Sequence, residues 1–133
     1  MFGSSRNPVT AYAQVGVDSA VQSADPHRLI LLLFEGAESA IAIALAAIEQ
    51  KNLQTKSQAI GKAIDIINDG LNASLNKEAG GEIAVKLSAL YDYMCARLLY
   101  ANLKNDVAAL NEVETLLSEI HGAWREIGQI RQP

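Results

Sequence analysis

"SADPHRLILLLFEGAESAIAIALAAIEQ", residues 23–50, decides how the rest of the chain is read. From Leu29 to Ile48 only Glu35, Gly36, Glu38 and Ser39 interrupt the apolar residues. Asp25 can accept from the free amides at a helix start. Pro26 then occupies the first helical position, where a missing amide proton costs nothing. Leu29, Leu33, Gly36 or Ala37, Ala40, Ala44 and Ile48 recur at helical spacing. A helix in water normally wets one side, so one that is apolar nearly all round needs several neighbours to cover it. A bilayer is the wrong cover. Glu35 and Glu38 would sit near mid-membrane at about 2.5–3.5 kcal/mol each, against about 0.3–0.6 gained per Leu or Ile. No basic cluster or aromatic belt flanks the stretch, so it reads as a helix buried in protein, without direct membrane insertion.

The polar run "QKNLQTKS" (50–57) ends this helix, and Thr55-x-x-Gln58 offers a capping box for a second. Ile60, Ile64, Ile67, Leu71 and Leu75 mark one face of that second helix. "NKEAGG" (76–81) reads as a loop because adjacent glycines weaken a helix. A third helix carries Ile83, Leu87, Leu90, Met94 and Leu98, and "NLKND" (102–106) turns the chain with Asn105 or Asp106 as cap. The fourth is the most regular, with Leu110, Val113, Leu117, Ile120, Trp124 and Ile127 at steps of three and four. Short loops between amphipathic helices predict an all-α fold, an antiparallel four-helix bundle over residues 25–133 as a single domain. Residues 1–24 form a partly helical N-terminal arm in this reading, since Gly16 weakens any helix there.

Composition narrows the functional classes. The chain has 133 residues, half of them hydrophobic, with a net charge of −4, which argues against nucleic acid as a partner. Cys95 is the only cysteine, so no intrachain disulfide can form, and a reducing cytoplasm is the simplest setting. The N-terminus has no continuous apolar run of the kind a secretory signal needs.

Neither His27 nor His121 follows an acidic residue by three positions, so a di-iron carboxylate bundle is not encoded. Haem is disfavoured because neither histidine falls at a clear core position. Cys95 has no neighbour that would lower its pKa and reads as a structural thiol. Gly80-Gly81 lacks a phosphate-loop lysine pattern. No catalytic, metal or cofactor constellation stands out, and the chain is expected not to be an enzyme.

More apolar surface is written into the helices than one core requires. Besides its aliphatic stripe, the second helix carries Ala59, Ala63, Ile66, Gly70 and Ala73, again at steps of three and four and mostly small. The third adds Ala84, Tyr91 and Cys95. Either these residues are simply buried or harmlessly exposed, or they form a groove for a partner helix or the protein's own arm. Periodicity cannot separate the two. Tyr91, Asp92 and Tyr93 likewise either bond a neighbouring helix or recognise a partner's backbone.

In order and spacing the chain resembles the flagellin-specific export chaperones, the FliS family. The likeness runs from "AYAQVGVDSAVQSADPHRLILLLFEGA" (11–37) through "KAIDIINDGL" (62–71) and "GGEIAVKLSALYDYM" (80–94). "RLLYANLKND" (97–106) and "EVETLLSEIHGAW" (112–124) complete it. Departures are mild: "ADP" stands where "ASP" is usual, and Lys86 where Asn or another polar residue is common. The resemblance implies a cytoplasmic chaperone, with no cofactor, that binds the disordered C-terminal segment of flagellin. It would prevent premature polymerisation and deliver the cargo to the cytoplasmic domain of the flagellar type III export gate. Candidate cargo-binding residues are Ala59, Ala63, Ile66, Gly70 and Ala73 on the second helix with Leu87, Tyr91 and Met94 on the third. Val9 and Tyr12 match the family's apolar and aromatic arm positions, linked to arm docking and gate recognition. The alternative is a structural or oligomerising bundle whose extra apolar face meets a second copy.

Overall fold

Asp25 opens the part of the chain described by the computed structural model, which runs to residue 131. The Asp25 carboxylate accepts from the Arg28 amide at 2.9 Å, and α1 then runs over Pro26–Glu49. Lys51 leaves the helix at a φ of 60°, and Asn52 caps α2, Leu53–Asp65, by accepting from the Thr55 amide at 3.1 Å. The cap therefore precedes the expected Thr55 box, because the left-handed Lys51 already reverses the chain. Beyond Asp65 the helix widens into a π-helical segment, Ile66–Asn72.

Residues 76–81 are not the simple loop expected. Asn76 caps a helical turn by accepting from the Ala79 amide at 3.0 Å, and the break falls at Gly81 (φ 53°, ψ −129°) within α3, Lys77–Lys104. A side chain disfavours that left-handed φ, so glycine suits it. Both candidates for the next cap are used. Asn105 ends α3 in the left-handed region, and Asp106 starts α4, Val107–Arg131, by accepting from the Ala109 amide at 3.1 Å.

Short connections make successive helices antiparallel. α1 packs on α2 and α4, while α3 packs on α4 and on α2 with its π-helical extension. The four helices thus close into the expected all-α bundle. Leu33, Phe34, Ala37, Ala40, Ile41 and Ala44 of α1 meet Ile60, Ile67, Leu71, Met94, Leu98, Leu110, Val113 and Leu117 in one core. Among the described helices only α1 is long and apolar enough to span a bilayer by length and composition, and here one side of it is bundle core.

Two stripes differ from the expected seams. On α3 the inward series is Ala84, Leu87, Tyr91, Met94, Leu98 and Ala101, while Ile83 is 71% exposed. Alternating steps of three and four hold that series on one face, and Ile83, two residues after the break at Gly81, lies outside it. On α4, Ile127 lies 43% exposed because it sits beyond Trp124, which meets His27 near the start of α1.

Polar groups tie the ends of the bundle. Lys56 is buried at 5% exposure, and its Nζ donates to the Asn102 carbonyl at 2.8 Å and to Asn105 Oδ1 at 2.7 Å, closing the C-terminus of α3. His121 is also buried, correcting the expectation that neither histidine reaches the core. Its ring stacks on Phe34 at 5.4 Å. Because a guanidinium only donates, Arg125 Nη2 donates to Nε2 at 3.1 Å, and Nδ1 donates to Glu38 Oε2 at 3.0 Å.

Candidate partner-binding surface

The small-residue face of α2 is not spare. Ala59, Ala63, Ile66 and Gly70 are buried, and α1 is the helix they receive. A Cβ placed on Gly70 would lie 3.1 Å from Leu33, and one on Gly36 would lie 3.3 Å from Ile66 Cδ1. Missing side-chain atoms here let two backbones of the same chain approach. This also answers what covers much of α1.

Other candidate residues divide. Tyr91 and Met94 are buried against the core, Leu87 is half-buried, and Ala73 is exposed at the end of the π-helical segment. Val9 and Tyr12 lie outside the described residues.

What remains open to a partner is mainly the outer face of α3. Val85, Ala89, Asp92, Ala96, Leu99 and Leu103 recur at steps of four and three, and all are exposed. Val85 is 56%, Leu99 60% and Leu103 77% exposed, far more than an aliphatic side chain in a packed seam. The sequence reading missed this stripe. The signal was present, because it is a second heptad-like series lying beside the inward one.

Polar contacts hold both flanks of this face. On the α4 side Tyr93 donates to Glu112 Oε2 at 2.5 Å, Arg97 Nε pairs with Glu112 Oε1 at 2.8 Å, and the Arg97 guanidinium lies over the Tyr100 ring. The Tyr93 and Arg97 hydrogen bonds hold the Glu112 carboxyl below the usual carboxylate range. On the α2 side Ser88 donates to Asn72 Oδ1 at 2.8 Å and Asn72 donates to Asp92 Oδ1 at 3.0 Å. Asp65 and Asp69 lie on the same flank, and partial burial first, then the Asp69 charge, raises the Asp65 pKa. Burial alone pushes the Tyr91 phenol up to about 12.

A separate opening lies between α1 and α2. It is a shallow groove of about 250 Å³ with Gly36, Ala40 and Ala59 as floor and Ser39, Thr55, Gln58 and Lys62 as polar rim. Ile43 stands beside it, 52% exposed. Of the candidates on α2, Ala59 alone lines this opening. Among the described residues no three His, Cys, Asp or Glu side chains gather as a metal site would require. These surfaces can bind apolar side chains.

The family model for the flagellar protein FliS matches residues 8–131. The flagellar secretion chaperone FliS of Salmonella typhimurium is 56% identical over 119 residues, covering 90% of this chain and 88% of that protein. The Escherichia coli chaperone of the same name is 48% identical, covering 87% and 85%. The Bacillus subtilis protein is 38% identical, covering 91% and 86%. With a helical bundle and a match along nearly its whole length, the chain belongs to the FliS family of flagellar secretion chaperones.

Proposed function

We propose that this chaperone binds the disordered C-terminal segment of flagellin in the cytoplasm, keeps it from polymerising, and delivers it to the cytoplasmic domain of the export gate. The exposed stripe on α3 carries this reading, because its aliphatic side chains stand in water although the core beneath them is complete. Burying a large apolar side chain is worth about 1.5–3 kcal/mol, so Val85, Leu99 and Leu103 together can offset the ordering of an unfolded segment. Binding of that kind needs no bond chemistry. Val9 and Tyr12 retain their proposed part in arm docking and gate recognition, and Ala73 and Leu87 remain reachable members of the cargo surface.

Calorimetric titration of the full chain with a flagellin C-terminal peptide tests this. A negative heat-capacity change of binding is expected, as apolar burial requires. Leu99→Lys should weaken binding while leaving helicity unchanged. A chain that gives no heat with the peptide and instead forms a tight dimer would overturn the reading in favour of self-association.

A further inference from the structure

Asp92 interrupts the α3 stripe between Ala89 and Ala96, where any helix lying along the face must cover it. We propose that the stripe receives an amphipathic helix of the exported cargo carrying a lysine or arginine opposite Asp92, about two turns from one end of the contact. The inference rests on the export-chaperone reading and adds to it the chemistry of the cargo. From Val85 to Leu103 the face extends about 27 Å at 1.5 Å per residue, the length of a helix of about five turns.

Electrostatics sets the complementary charge. Asp92 Oδ1 accepts from Asn72, and among the described residues Asp92 makes no ion pair. Asp65 and Asp69 on the same flank are also unpaired there, and all three carboxylates act together on Cys95. A carboxylate covered by an apolar partner loses its water, which is strongly unfavourable unless a cation replaces it. A basic side chain at that level turns the defect in the stripe into a register mark.

A second copy is disfavoured as occupant by the same electrostatics. The stripe itself contains no Lys or Arg, so two α3 faces laid together would bury two carboxylates without a cation between the stripes.

The test uses the full chain and two designed helical peptides about five turns long. Their apolar stripes are identical, and they differ only in carrying Lys or Glu at the level of Asp92. Fluorescence anisotropy in low salt should show the Lys peptide binding at least tenfold tighter, with the gap narrowing in 0.5 M salt as charge is screened. Asp92→Asn should flatten the preference and Asp92→Lys should reverse it, with circular dichroism confirming that both variants fold. Equal affinities, a preference that survives Asp92→Lys, or no binding of either peptide overturns the inference. If the Lys peptide binds in this pattern and the flagellin segment does not bind at all, the Asp92 pairing stands and the flagellin assignment falls.

Discussion

Cys95 sits half-buried on the α2 flank of α3, with Sγ 3.9 Å from the Ile64 carbonyl. Burial is the main cause that pushes its thiol up to about 11, and Asp92, Asp69 and Asp65 add to it. A thiolate is the reactive form, so a rise from 9.0 to about 11 cuts its population near pH 8 by on the order of a hundredfold. Alkylation by iodoacetamide at pH 8 should therefore be slow in the folded protein and fast in urea. The linkage has a definite sign. With the folded value above the unfolded one, the stabilising contribution is complete below pH 9 and is lost as pH rises through about 11. Equal alkylation rates in folded and unfolded protein would show that the thiol is not held in this environment.

The helix is the scale at which the sequence was most readable. Caps at Asp25 and Asp106, the seam from Leu110 to Leu117, and the end of α1 all follow from local chemistry and spacing. Which face of a helix meets which neighbour is a different matter. Ala63 and Gly70 carry the same pattern whether they receive a guest or α1, because small residues permit close approach by any helix. Ile83 looked like core, since bulk alone does not show where the break at Gly81 places the following turn. Lys56 escaped notice because its acceptors lie at the far end of α3, set by topology.

Glycines within the helices show the same dependence on neighbours. A Cβ on Gly61 in α2 meets nothing within 4 Å, whereas one on Gly128 in α4 would run into the His27 ring. That ring cannot easily yield, because it stacks on Trp124 at 4.9 Å and its Nε2 donates to the Trp124 carbonyl at 2.6 Å. Gly61→Ala should raise stability by about 0.5–1 kcal/mol through helix propensity. Gly128→Ala should lower it by about 1–3 kcal/mol through overpacking. Urea denaturation of the two variants compares them directly, and a gain from both would mean that the His27–Trp124 clasp is loose.

For the whole molecule, resistance to opening should follow the pattern of contacts. α1 lies between α2 and α4, and its buried residues from Leu33 to Ala44 belong to the common core. Amides along that buried stretch are expected to lose their hydrogen bonds only when the bundle as a whole opens. The turn Lys77–Gly80 is exposed throughout and is separated from the rest of α3 by the Gly81 break. It can open alone. Native-state hydrogen exchange should therefore show amides of residues 37–44 exchanging at the global unfolding free energy, and those of residues 80–83 exchanging by local fraying. Adding the flagellin peptide should slow exchange along residues 85–103 more than along α4, because cargo on the outer face of α3 opposes its separation from the bundle. Equal protection of α1 and the 80–83 segment would mean that α1 does not organise the fold. Slowing confined to α1 and α2 would move the cargo to the groove beside Ile43.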